Sequence, residues 1–249
     1  MVDRLFSDPS LAALYDAVCA ERGDFDDFYL PLVMSAPSVL DVGCGTGVLL
    51  RRAREAGHTG RLCGLDPAAA MLGLAARGRE DVEWVLGDLG SVRWEREFDL
   101  VVMTGHAFQV LLGDDELRGA LAAVRSALTD DGRFVFETRN PAARAWERWT
   151  PENAVEVTGP DGAAVRYWAE VATPVAGDTV RFAQFYDGPR WKEPQVSWST
   201  LRFLGVDALD AFLAGAGLAV RERYGDWDRS PLTAGSPEII TVAARRGAA

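Results

Sequence analysis

Val39-Leu40-Asp41-Val42-Gly43-Cys44-Gly45-Thr46-Gly47 decides how the rest of this chain is read. Apolar residues flank one acid, three glycines alternate with small side chains, and a helix-like stretch follows. A buried strand that breaks into a glycine turn and feeds a helix brings backbone N–H groups against a ligand. The spacing Asp-x-Gly-x-Gly-x-Gly differs from the dinucleotide fingerprint Gly-x-Gly-x-x-Gly, which would need its third glycine where Val48 stands.

Outward from this run, strand-like and helix-like stretches alternate. Strands are expected at 39–42, 61–65, 82–86, 98–103 and 133–138. Helices are expected at 46–55, from Pro67 to Arg77, and from the acidic start Asp114-Asp115-Glu116 onward, with Leu117, Leu121, Val124 and Leu128 on one face. Such alternation implies an α/β fold with a parallel, doubly wound sheet. Before it, Leu11, Leu14, Tyr15 and Val18, then Phe25, Phe28, Tyr29 and Leu32, predict one or two helices.

After Asn140-Pro141 the period changes to two, over 153–158, 163–172, 178–187 and 196–204. Val165, Tyr167, Ala169 and Val171 share one face, and Val180, Phe182 and Tyr186 share another, with Pro- and Gly-bearing turns between. This is an antiparallel insertion. Asp207 is expected to cap a helix ending at Gly217, and strands return at 218–224 and 239–243. The expected organisation is a helical cap (1–37), a core (38–145 and 206–249) and an antiparallel β lid (146–205).

Composition narrows the class. With 249 residues, 48% hydrophobic and 25% charged, the chain can bury a sizeable core. Its net charge of −11, without a Lys/Arg cluster, argues against nucleic acid or an anionic membrane as partner and favours a compact neutral or cationic substrate. Cys19, Cys44 and Cys63 have neither metal nor disulfide-framework spacing, no clustered metal ligands stand out, and no apolar run is long enough to span a bilayer. No metal and a cytoplasmic location are expected, as a monomer or a homodimer.

Two acids follow the glycine run. Asp66 closes the second strand about 20 residues on, where a carboxylate accepts both ribose hydroxyls of a nucleoside cofactor; it is also placed to cap the helix after it. Gly87-Asp88-Leu89 ends the third strand, where Asp88 reads either as an adenine acceptor or as a plain turn aspartate.

Together with Phe98-Asp99-Leu100-Val101-Val102-Met103 and Gly132-Arg133-Phe134-Val135-Phe136, these motifs resemble class I S-adenosylmethionine-dependent methyltransferases over residues 38–140 and the two final strands. The resemblance implies a Rossmann-like, mostly parallel seven-stranded sheet and S-adenosyl-L-methionine as cofactor. It implies that Gly43 and Gly45 line the methionine moiety and that Asp66 holds the ribose. Pro67 or Met71 would pack on the adenine, Asp88 and the Leu89 backbone would read its edge, and the Thr104 carbonyl would sit near the sulfonium. Asp41 would order the glycine loop, directly or through water.

Methyl transfer needs a nucleophile in line with the departing sulfur, and positioning supplies roughly 7–11 kcal/mol in favourable cases. A base is required only where the nucleophile starts protonated. His106, in the segment 104–109 after the fourth strand, suits either that role or substrate orientation. His58 reads as a surface turn residue. Tyr15 and Tyr29 either close over the cofactor and substrate or pack the cap. Phe108 belongs to the same segment as His106, and Arg139 either faces substrate or pairs with Glu137 or a lid acid. Among the aromatics of the insertion, Trp146, Trp149 and Trp168 are the candidates for a pocket wall, the others for its core. The expected function is methyl transfer to an N, O or C nucleophile of a small molecule. The alternatives are another cofactor-dependent reaction on the same fold (cyclisation or decarboxylation) or a cofactor-binding sensor.

Overall fold

The computed structural model describes residues 2–19, 23–77, 79–175 and 177–247, with the side chains of 23–26, and so of Phe25, outside that description. Seven strands form the central sheet: β1 (Ser38–Val42), β2 (Arg61–Asp66), β3 (Glu83–Leu86), β4 (Phe98–Met103), β5 (Leu128–Arg139), β10 (Leu218–Tyr224) and β11 (Glu238–Arg245). Their order is β10-β11-β5-β4-β1-β2-β3. The first five run parallel, whereas β11 pairs antiparallel with both β5 and β10. The strand order reverses between β1 and β4, a switch point that opens a crevice at the carboxyl ends of those parallel strands.

Both faces of the sheet are covered, which is why β1, β2 and β4 read as nearly unbroken apolar runs. On one face lie α7 (Asp114–Ala127) and α8 (Val206–Gly215), whose Leu117, Leu121, Val124, Leu209 and Leu213 pack on Leu40, Val101, Phe134 and Phe136. On the other lie α4 (Gly23–Ser35) and α5 (Val48–Glu55), with Phe28, Tyr29, Val33, Leu49 and Leu50 against Val39, Val102, Val135 and Ile240.

Several boundaries differ from the sequence expectation. Helix α5 begins at Val48 rather than Thr46, because Gly47 is left-handed at φ 72°. Helix α6 (Ala69–Ala75) starts after Ala68, so Pro67 stands outside it. Gly205, not Asp207, is the N-cap of α8, and Asp207 lies in the first turn. The N-terminal stretch holds four helices, α1 (Arg4–Ser7), α2 (Pro9–Ala12), α3 (Tyr15–Val18) and α4; Asp8 and Pro9 break the first two apart. His58 is buried rather than on the surface, with Nε2 2.8 Å from the Ala36 carbonyl, tying the end of α4 to the turn before β2.

The insertion is a separate antiparallel sheet of β6 (Val155–Thr158), β7 (Ala164–Val171), β8 (Thr179–Asp187) and β9 (Gln195–Arg202), in that order. The N-terminal strap is fastened to it. The Leu5 N–H donates to Ser197 Oγ at 2.8 Å, Arg4 to Gln195 Oε1 at 2.7 Å, and the Ser199 hydroxyl to Asp3. Among the described residues no helix is long and apolar enough to cross a membrane.

Candidate active site

The glycine loop leaves β1 and turns over the end of β2. Its Gly43 N–H donates to the Leu65 carbonyl at 2.8 Å and its Gly45 N–H to Asp66 Oδ2 at 2.8 Å. Gly43 sits at φ 73°, and a Cβ there would stand 2.8 Å from Ala107 Cβ, so the segment after β4 lies directly on the loop. Gly45, at φ 55°, is different: a Cβ would meet nothing nearer than the Tyr15 ring at 3.8 Å. That glycine keeps a space open beneath Tyr15 and beside Asp66. Such a cradle, with a carboxylate at its rim, fits the aminoacyl and ribose portions of S-adenosylmethionine.

Asp66 is buried, and its Oδ1 accepts the Ala68 N–H at 2.8 Å. Burial pushes its carboxyl above the ordinary range, against the pull of the Ala68 and Gly45 N–H groups. Of the two adenine candidates, Pro67 is exposed, whereas Met71 is buried against Ala12 and Ala68 under the N-terminal helices. Asp88 does serve its turn, Oδ1 accepting from Gly90 and Ser91 N–H at 2.9 Å. It remains exposed, and the Leu89 side chain joins the core. The Thr104 carbonyl accepts the Ala107 N–H at 3.2 Å.

Across the crevice, the ends of β1, β4 and β5 and the start of β11 gather a buried polar group. Asp41, on the α4/α5 face, is 1% exposed; its Oδ1 has no hydrogen-bond partner among the described residues, so the direct contact expected with the glycine loop is absent there. Burial, then the charges of Asp66 and Glu137, push its carboxyl up to about 8. His106 is left-handed at φ 64° and 5% exposed. Its N–H donates to Glu137 Oε1 at 3.0 Å, its Nε2 lies 3.0 Å from both oxygens of Glu238, and Trp227 meets its ring edge-on at 6.4 Å. The Tyr29 hydroxyl donates to Glu137 Oε2. Tyr29 is fully buried and packs edge-on against Phe28, so it braces Glu137 instead of facing a substrate.

Other expectations are corrected. Phe108 is core: it stacks on Phe136 at 4.2 Å with its ring 3% exposed as a residue. Trp146 packs edge-on against Phe203 and Trp149 against Phe182, each at 4.6 Å, in the inner core of the second sheet. Both do line a pocket wall, that of a shallow cavity of about 420 Å³ bordered also by Arg144, Glu147 and Glu170, whose lining includes no residue of the glycine loop. Trp168 belongs to the opposite face of that sheet, stacked on Phe185 and donating to Glu170. The alternation of β7 dictates this, because Tyr167 and Ala169 on either side face inward.

Arg139, at the end of β5, donates its N–H and Nη1–H to Gln109 Oε1 at 3.2 Å and lays its guanidinium over Trp149. Gln109 in turn donates to the Arg202 carbonyl of β9 at 3.0 Å, clasping the two sheets together. Tyr15 stands over Gly45, and the neighbouring Asp16 accepts the Thr46 hydroxyl of the glycine loop. The sequence does not single out Glu238, Gln109 or Asp16, and it offers Glu137 only as an ion-pair partner for Arg139, whereas Glu137 accepts from the Tyr29 hydroxyl and the His106 N–H. Glu137 alone carried a signal, a charge inside the apolar run of β5.

A methyltransferase-domain family model matches residues 39–132. The chain is 28% identical to the cypemycin N-terminal methyltransferase of a Streptomyces species, over 84% of this chain and 83% of that protein. It is 34% identical to the dTDP-3-amino-3,6-dideoxy-alpha-D-glucopyranose N,N-dimethyltransferase of Streptomyces fradiae, over 47% of this chain and 42% of that protein. The solved structure of the CcbJ methyltransferase from Streptomyces caelestis shares its fold, with a TM-score of 0.74 at 20% identity, covering 96% of this chain and all of that one (100%). The glycine cradle, the strand order and these matches together support a class I S-adenosylmethionine-dependent methyltransferase.

Proposed function

We propose that the enzyme methylates the nitrogen of a small-molecule amine, with His106 at the methyl-transfer site. One observation carries this reading: the buried ionisable side chains around the crevice are the acids Asp41, Asp66, Glu137 and Glu238, with His106 between them and no fully buried Lys or Arg among the described residues. With Asp41 protonated, the other three acids still line this water-poor end, and an acidic lining favours cations. An ammonium acceptor and a sulfonium are both cationic. The relatives named for N-terminal and amino-sugar N-methylation support the same choice of atom.

Bound S-adenosylmethionine supplies a methyl group activated by positive sulfur. Gly43, Gly45 and Asp66 would hold it, with Pro67 and Asp88 toward the adenine. Arg139, with Gln109 behind it, would face the acceptor. An amine arriving as ammonium must lose a proton before its lone pair can attack, and His106 would take that proton. The strap of residues 1–37 and the sheet of 146–205 would act as covers over the core (38–145 and 206–249), keeping water from the crevice. Tyr15 over Gly45 and the Asp16–Thr46 contact support the first cover, and the Gln109 clasp supports the second.

Incubation with methyl-labelled cofactor and a panel of small amines, alcohols and carboxylic acids tests the acceptor atom. Label on amines is expected; label transferred only to oxygen or carbon acceptors would sink the nitrogen reading.

A further inference from the structure

We propose that the protein carries a second ligand site, for a small polyanion bearing phosphoryl groups, at the end of the central sheet opposite the crevice. The site lies where α7 ends and β4, β5 and β10 begin, beside the last residues of β11. An open cavity of about 660 Å³ there is lined by Arg96, Arg125, Arg245 and Arg246, with Asp130 and Gly217 between them. In a chain of net charge −11, four guanidiniums around one carboxylate run against the charge of the whole. The sequence conceals the group, because only Arg245 and Arg246 are adjacent in it.

The fold holds these side chains in place. Arg96, left-handed at φ 54°, donates its N–H to the Ser126 carbonyl at 2.8 Å and its Nη1–H to Asp130 Oδ2 at 2.9 Å. Arg245 donates from Nη1 to the Arg125 carbonyl at 2.7 Å and to the Leu128 carbonyl at 3.3 Å, closing the end of α7. Arg125 lies along Gly217, where a Cβ would stand 2.8 Å from its Nε, so a side chain at 217 would displace it from the wall. That Nε is buried, which leaves the terminal nitrogens to meet a ligand. The guanidiniums of Arg125 and Arg246 have no acceptor among the described residues.

Capping of the helix accounts for only part of this. The end of α7 carries about half a negative charge, and Arg245 meets it through two carbonyls. Three guanidiniums then remain around Asp130. Like charges gathered without counter-charge repel one another, and an anion seated among them removes that penalty. Planar guanidinium forks match phosphoryl oxygens, with paired donors for each group. The volume is that of a small-molecule site rather than of one ion, and the lining has no aromatic ring on which a base could stack. A compact anion meets this local field, whereas a long one such as nucleic acid also meets the repulsion of the acidic surface. Strand β4, six residues long, puts the cavity roughly 20 Å from the crevice. The site is therefore independent of the methyl-transfer reading and stands or falls without it.

Tripolyphosphate titrated into the full-length protein at low ionic strength tests the site, by calorimetry and by melting temperature, with and without saturating S-adenosylhomocysteine. Saturable binding is expected, with the same affinity in both conditions. R125Q/R246Q should weaken it at least about tenfold. R246Q alone, at an exposed side chain, should weaken it about threefold and carries the test if the double variant does not fold. R166Q/R181Q removes the same charge from exposed positions on the inserted sheet and should bind like the parent. Absence of saturable binding to the parent would overturn the proposal, as would unchanged affinity in the folded cavity variants. An equal loss in R166Q/R181Q would reduce the effect to general charge and overturn it too. Displacement by S-adenosylhomocysteine would place the anion in the crevice and end the case for a second site.

Discussion

The central sheet and the inserted sheet bury their side chains in different ways. In the central sheet, β1, β4 and β5 are covered on both faces, and the buried acids gather toward strand ends: Asp41 on β1, Asp66 on β2, Glu137 on β5 and Glu238 on β11. In the inserted sheet, Val180, Phe182, Tyr186 and Leu201 face inward, while Trp168, Phe185 and Trp198 lie on the outer face. A sheet closed on both sides can hold ionisable groups dry and at fixed distances. A sheet open on one side can shape a wall but cannot tune a proton transfer. On the function proposed above, the chemistry would belong to the strand ends of the first sheet, and the second would contribute enclosure.

The sharpest way to break that contrast is to hollow out the closed sheet. Phe136 is fully buried between Phe108 at 4.2 Å and Phe134 at 4.7 Å. Phe136→Ala should cost about 3–5 kcal/mol of global stability in denaturant unfolding. A loss below 1 kcal/mol would mean the core is looser than described.

Asp41 tests whether the strand ends are as dry as the contrast requires. Its carboxyl is raised to about 8, so between its ordinary range and pH 8 the folded protein holds a proton that the unfolded chain releases. That contribution is complete below about pH 4 and disappears as pH rises through 8, on the order of a few kcal/mol. Asp41→Asn should flatten this decline when unfolding midpoints are followed from pH 5 to 8. An identical slope in both proteins would place Asp41 in contact with water.

Asp66→Ala removes a buried carboxylate from the rim of the cradle, and cofactor affinity should weaken at least about tenfold in a direct titration. Unchanged affinity would take Asp66 out of the binding site. The smallest effect belongs to the open face of the second sheet. Trp198 is 48% exposed, with Arg181 4.6 Å above its ring. Trp198→Ala should change stability by less than about 0.5 kcal/mol and leave turnover intact; a large loss in either would show that this face is in use.

The same contrast explains what could be read from the chain. The parallel sheet was legible because its strands are continuous apolar runs punctuated by Gly43–Gly47 and Asp66, features set by local backbone demands. The insertion is legible as alternating strands, and the alternation itself sets Trp168, a candidate pocket wall, on the face opposite Tyr167 and Ala169. Glu238 was not legible. It opens β11 after Ser236-Pro237, with nothing in its neighbourhood marking it out, and its meaning comes from the antiparallel register with β5. Gln109 and Asp16 escaped for a similar reason, since each acts across elements far apart in sequence.

That register has a temporal consequence. The contact between His106 and Glu238 spans 132 residues, and Glu238 lies on the last strand of the sheet in chain order. On a ribosome the glycine loop, α5 and the first four parallel strands emerge and can pair early, whereas the histidine gains its carboxylate only when β11 slots between β5 and β10. A nascent chain could thus form its glycine cradle before the buried acids around His106 are complete, and docking of one late strand would close that cluster.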